Sequence, residues 1–216
     1  MTTYRIRDAA TLAKASYTAG LIVDPPVIHS LDHNDVQAHV LEGNILLLPG
    51  SNSVRDYLKF NLRVLNLGNK RLTMSAGGTE KGASGTRWHQ GFLQYSRVVF
   101  DWLKGLNVTP EYIIGHSLGA AATQILSKSY NAPAIGFAAP RPKKSRNRVV
   151  HDGRCLLINR SDDIVPKLPG DFHHMGRAVR FKTNIDRRFV AHSMDRYIAI
   201  VDEAVQAQKI PETWGG

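Results

Sequence analysis

The chain predicts an α/β domain around a mainly parallel sheet, on three observations. Short, continuous apolar runs alternate with helix-type segments, the connections between them are brief, and several runs stop at glycine or proline. Continuous apolar runs suit strands that helices cover on both faces, which is the parallel-sheet arrangement. At 216 residues the chain reads as one domain spanning 1–216, large enough for a substantial core.

The elements follow in order. IRDAATLAKASY is an alanine-rich helix ending near Gly20. NILLLPG is an apolar run halted by Pro-Gly, a buried strand entering a loop. RVLNLGNKRLTMSAGGTEKGASGTRW reads as a flexible, glycine-bearing loop without an amphipathic helix. Its GGTEKGASG stretch lacks G-K-[ST] and a following helix, so it is not read as a phosphate loop. GFLQYSRVVFDWLKG places Phe92, Tyr95, Val99 and Trp102 on one helical face, and Gly105 suits its C-terminus. YIIGHS is strand-like and LGAAATQILSKSY is helical. AIGFAAP and CLLINRS are two more buried runs, and DRYIAIVDEAVQAQ closes as an amphipathic helix.

Composition narrows the function classes. A hydrophobic content of 43% with 21% charge is ordinary for a folded soluble protein. The single cysteine, Cys155, excludes an internal disulfide framework and reads as a buried small hydrophobe. No continuous apolar stretch marks a secretory signal or a membrane span, which leads to an expected cytoplasmic location, with non-classical export left open. The net charge of +10 suits either a solvated surface or attraction to anionic lipid or polymer. Its densest part is RPKKSRNR, with Arg141, Lys143, Lys144, Arg146 and Arg148 in one loop. No nucleic-acid partner is expected, and the oligomeric state is left open.

IIGHSLGAA carries the strongest chemical signal. Ser117 stands between Gly115 and Gly119, where a predicted strand ends and a predicted helix begins. That is the setting of a nucleophile elbow, a turn so tight that bulky neighbours of the serine would meet backbone. The hydroxyl is then presented above a helix N-terminus, whose amides favour developing negative charge. Serine is a poor nucleophile alone and needs a base oriented by an acid. In the α/β-hydrolase order an acid and then a histidine follow the serine. LLINRSDDIVPKLP offers Asp162 and Asp163, and VAHSMDRY offers His192 just before the last helix. His116, His151, His173 and His174 compete for the role of base.

Taken together, these residues resemble the class 3, or fungal-type, lipases of the α/β-hydrolase superfamily, from about Ala9 to the final helix. Six motifs in order carry the resemblance. LLLPGSNSVRDYLKFNL looks like that family's G-S-x-S-x-x-D-W strand and loop, with Tyr57 in the tryptophan place. WHQGF is similar to its H-x-G-F, and IIGHSLGAAA matches its nucleophile segment, with Ala120 for a second glycine. FAAPRP resembles its F-x-x-P-R, RSDDIVPKLP its D-x-V-P-x-L-P, and FHHMGRAVRF its H-x-G segment.

The resemblance implies an α/β-hydrolase fold, with a central mostly parallel sheet flanked by helices. It makes Ser117 the nucleophile, Asp163, which directly precedes IVP, the acid, and His192 the base. It places the backbone amides of Ser51 and Leu118 in an oxyanion hole, with the Ser51 hydroxyl as a third donor. The implied activity is hydrolysis of a carboxylic ester or lipid, as a lipase or esterase, with no cofactor and no metal. The alternative is a basic surface-binding module on a hydrolase fold, acting at an anionic lipid or polymer surface, with a phospholipase as one form of it.

Overall fold

The computed structural model describes residues 2–18, 20–34, 36–50, 78–183 and 190–215, and the backbone of 65–67 and 70–72. The first half contains β1 (Thr3–Arg5), α1 (Ile6–Ala15), β2 (Val27–His33), β3 (Val36–Leu41), β4 (Ile45–Leu48), β5 (Leu65–Leu67), β6 (Lys70–Leu72), β7 (Thr79–Lys81), β8 (Arg87–His89) and α2 (Gln90–Gly105). The second contains β9 (Tyr112–His116), α3 (Leu118–Tyr130), β10 (Ala134–Phe137), β11 (Cys155–Arg160), β12 (Arg177–Phe181), α4 (Met194–Gln206) and β13 (Thr213–Gly215).

Seven strands form the central sheet in the order β12-β11-β10-β9-β4-β3-β2. The five from β12 to β4 run parallel, and β3 and β2 complete the sheet as an antiparallel edge. Every residue of β4, β9, β10 and β11 is buried, which is why these segments read as unbroken apolar runs.

Alternation along the strands divides the core in two. Leu46, Leu48, Ile113, Ala134 and Leu157 face one way and pack with α2 and α3. Ile45, Leu47, Ile114, Ile135 and Ile158 face the other and pack with α1 and α4. Successive residues of a strand point to opposite faces, so one apolar run serves both layers. α1 can lie close against α4 because Ala9, Ala10 and Ala13 make up much of its buried face. Two exposed ion pairs, Arg7–Asp202 at 2.6 Å and Lys14–Asp195 at 2.5 Å, border that contact. Pairs at that exposure contribute little, so the apolar face carries the docking.

A ribbon joins the two ends of the fold. β1 pairs antiparallel with β13, with Thr3 opposite Gly215. The Tyr112 hydroxyl donates to the carbonyl of Trp214 at 2.7 Å, and Trp214 Nε1 donates to the carbonyl of Arg154 at 2.9 Å.

The structure revises several sequence expectations. Part of the predicted flexible loop is paired: β5 with β6, and β7 with β8. The β2–β3 hairpin was not expected, because its polar, solvent-facing positions hide the strand signal. Leu103 is fully buried on α2 whereas Trp102 is only partly covered, and the left-handed residue after that helix is Asn107 at φ +56° rather than Gly105. Among the described residues no helix is long and apolar enough to cross a membrane.

Tyr112→Phe tests the ribbon. The ring stays in the core, while the hydrogen bond to Trp214 is lost. Unfolding in urea should show a loss of about 1 kcal/mol; an unchanged midpoint would mean that this bond adds nothing to stability.

Candidate active site

Where β9 passes into α3 the backbone is held in an unusual conformation. Ser117 has φ +55° and ψ −122°, a region that non-glycine residues seldom occupy. Such strain costs on the order of 1–3 kcal/mol and persists only where its surroundings enforce it. The surroundings here are close backbones. A Cβ at Gly119 would lie 2.1 Å from the carbonyl oxygen of Leu48 and 2.6 Å from that of Pro49. A Cβ at Gly115 would lie 2.2 Å from Thr123 Oγ1 and 2.8 Å from the backbone of Gly119. Glycine is required at both places by lack of space. Gly50 is a third case: its Cβ would meet Tyr17 Oη at 2.5 Å and Ser117 Cβ at 2.9 Å.

Ser117, His192 and Asp163 are joined by hydrogen bonds. His192 Nδ1 donates to Asp163 Oδ2 at 2.7 Å, and Ser117 Oγ lies 2.9 Å from His192 Nε2. Because Nδ1 carries the proton, neutral His192 has Nε2 free to accept from the serine hydroxyl. All three side chains are buried. Burial alone would raise the Asp163 carboxyl. The charge and N–H of His192, the amide of Val165 at 3.0 Å and the Tyr197 hydroxyl at 2.9 Å outweigh it and hold the carboxyl below its ordinary value. Asp163 therefore stays ionised although enclosed.

The neighbouring carboxylate is committed elsewhere. Asp162 takes two hydrogen bonds from the Arg160 guanidinium, at 2.8 and 3.0 Å, and one from Thr183 Oγ1 at 2.7 Å. This ion pair is itself buried, with side chains 5% and 4% exposed. Of the two aspartates, only Asp163 lies against the imidazole of His192.

The other candidates are placed as follows. Leu118 is the first residue of α3, so its N–H stands at the positive end of the helix dipole beside Ser117. Ser51 and Tyr57 lie outside the described residues. His151 Nδ1 is 3.2 Å from the carbonyl of Lys128, and His174 Nε2 is 2.8 Å from that of Ala139. His173 exchanges backbone hydrogen bonds with Lys143. None of these three meets Ser117. His116 does lie at the site, with its ring centroid 4.8 Å from that of His192. Sequence reasoning missed Tyr17, Gly50 and Tyr197. They reach the serine or its partners only through tertiary folding, and the Pro-Gly stop before Ser51 was the one local hint.

The basic loop is largely occupied with itself. Lys143 is 3% exposed and donates to the carbonyl of Asn147 at 2.5 Å. Lys144 pairs with Asp171 and lies over the Phe172 ring, and Arg148 pairs with Asp152 at 2.8 Å. Among the described residues no group of histidine, cysteine, aspartate or glutamate side chains is arranged to hold a metal.

No protein-family model and no curated protein matches the chain. Solved structures do match. Lipase II from Rhizopus niveus is similar at 18% identity over 87% of this chain and 80% of its own, with a TM-score of 0.56. Lip2 lipase from Yarrowia lipolytica is 17% identical over 89% of this chain and 85% of its own, with a TM-score of 0.53. A fungal lipase solved with an inhibitor is 19% identical over 79% and 76%, also with a TM-score of 0.53. The chain has an α/β-hydrolase fold, the architecture it shares with these solved structures. At these identities the likeness concerns architecture alone.

Two measurements of stability test this geometry. Asp162→Asn leaves Arg160 buried beside a neutral partner, and unfolding should show a loss of roughly 3–5 kcal/mol. A loss below about 1 kcal/mol, the level of an exposed pair, would mean that the pair is effectively solvated.

The second concerns acid. Burial, followed by the charge of His192, pushes His116 down from 6.5 to about 3, and burial pushes His174 down to about 4. The unfolded chain binds both protons as pH falls through about 6.5, while the folded chain does not. Stability is therefore complete above that pH and lost below it, at about 1.4 kcal/mol per pH unit for each histidine. Urea midpoints should fall steeply between about pH 6.5 and 4.5. A flat profile would show that these imidazoles take up protons without cost.

Proposed function

We propose that this protein is a serine hydrolase that cleaves carboxylic esters, lipid esters among them, through an acyl-enzyme on Ser117. The observation that carries the reading is the unbroken run of hydrogen bonds from buried Asp163 through His192 to Ser117 at the tip of a strained turn. The fold shared with the solved lipases supports it, since lipase activity belongs to the neighbours named above.

The chemistry follows from the atoms. His192 Nε2 takes the Ser117 proton as Oγ attacks the ester carbonyl, and Asp163 holds the Nδ1–H and steadies the imidazolium. The amide of Leu118, with Ser51 as its proposed partner, receives the oxyanion; such donors act where charge develops and need no reorganisation. The alcohol leaves with the proton held on His192. Water then attacks the acyl-enzyme, giving up a proton to the same nitrogen, which returns it to Ser117 Oγ as the bond to the acyl carbon breaks and the acid is released.

The alternative, a basic module for anionic surfaces, has weaker support, because Lys143 is buried and Lys144 and Arg148 are already paired with Asp171 and Asp152 at the surface.

Ser117→Ala should abolish hydrolysis of p-nitrophenyl esters, with a loss on the order of 10⁶ in turnover. Asp163→Asn should cost roughly 10⁴ through the wrong imidazole tautomer. A labelled fluorophosphonate should mark the native chain once, at Ser117. Full turnover in the purified Ser117→Ala protein would end the hydrolase reading. A chain-length series of esters, beside a triglyceride and a phospholipid, names the substrate class.

A further inference from the structure

A second set of hydrogen bonds runs beneath the first and does not include the serine. Its centre is His116, buried at the end of β9 and directly before the nucleophile. His116 Nε2 lies 3.1 Å from the backbone carbonyl of His192. A carbonyl can only accept, so Nε2 carries the hydrogen. Burial holds the ring neutral, which leaves Nδ1 as an acceptor. Tyr17 Oη, 2.5 Å from Nδ1, must therefore be the donor. The same oxygen accepts the amide hydrogen of Gly50 at 2.8 Å. Direction is thereby settled at every link: Gly50 N–H to Tyr17 O–H to His116 Nδ1, and His116 Nε2–H to the carbonyl of His192.

We infer that Tyr17 and His116 are positioning residues, a relay that fixes the main chain of His192 and the end of the β4 segment in mutual register around Ser117. This rests on the hydrolase reading above. Three separate pieces of chain converge on the relay. Tyr17 follows α1, Gly50 immediately precedes the proposed oxyanion residue Ser51, and the pinned carbonyl belongs to the residue whose imidazole serves the nucleophile. The main chain of His192 and that of Gly50 are held by one network, so a shift in either is resisted by the other.

The relay also governs charge. The rings of His116 and His192 are in contact, so a proton on His116 would oppose the imidazolium that His192 becomes during attack. Tyr17 occupies Nδ1 with a hydrogen-bond donor and keeps that nitrogen from taking a proton of its own. Although 39% of Tyr17 is exposed, its hydroxyl has both a donor and an acceptor partner within the site.

The test compares the native chain with Tyr17→Phe, His116→Gln and His116→Leu, measuring kcat and KM on a short p-nitrophenyl ester, the rate of fluorophosphonate labelling and the melting temperature. Tyr17→Phe keeps the ring that meets solvent and removes the relay. Its kcat and labelling rate should fall about 10- to 100-fold, the scale of losing one positioning hydrogen bond, with KM within about twofold. Glutamine can present an amide where Nε2 stood, so His116→Gln should retain more of kcat than His116→Leu at matched melting temperature. Native kcat in Tyr17→Phe would overturn the relay, as would equal losses in the glutamine and leucine variants. A native chain that neither labels nor turns over would instead remove the hydrolase reading itself.

Discussion

Two backbones touch at the centre of this molecule, and the site is arranged around that contact. The first turn of α3 lies so near the end of β4 that a methyl on Gly119 would fall 2.1 Å from the oxygen of Leu48. The approach draws the elbow down onto the sheet, and Ser117 is held at a positive φ with its hydroxyl against His192. Gly115 and Gly50 are shaped by the same crowding, one under the elbow and the other beside it. Packing distance rather than backbone freedom selects glycine at these positions.

Electrostatics complete what packing begins. A carboxylate enclosed beside a histidine is costly unless its oxygens are occupied, and those of Asp163 receive Val165, Tyr197 and His192. The adjacent carboxylate of Asp162 would add a second negative charge, but Arg160 neutralises it at close range. Tyr197 also accepts the backbone amide of Arg160, so one hydroxyl on α4 ties the Asp163 carboxylate to the end of β11. Each ionised group in this region has an assigned partner, which suits the low polarity around it.

The architecture was legible where strands are buried on both faces. NILLLPG, YIIGHS, AIGFAAP and CLLINRS all announced strands because no solvent-facing position interrupts them. The edge strand β2, VIHSLDH, was hidden for the opposite reason: most of its residues meet water. Ser117, Asp163 and His192, which the structure brings within hydrogen-bond distance, stood out from order and local motif, since each sits at the end of an element or beside one. Tyr17 and Gly50 could not, because sequence carries no sign that the residue after an N-terminal helix will reach the end of a distant strand. Likewise, RPKKSRNR showed its charge but not its internal partners. Composition reports the sign of a loop and leaves out the carboxylates and carbonyls that the fold brings to it.

The ribbon of β1 and β13 has a consequence for the order of events during synthesis. β1 and α1 are made well before their partners β13 and α4. Until α4 has left the ribosome, Leu12 and the alanines of α1 have no complete surface to cover them. Contacts of such long sequence separation form late and slowly. The site draws on residues from 17 to 192, and its supporting helix ends at Gln206. Between the synthesis of α1 and that of α4, the apolar face of α1 therefore stays incompletely covered, and the site is not yet assembled.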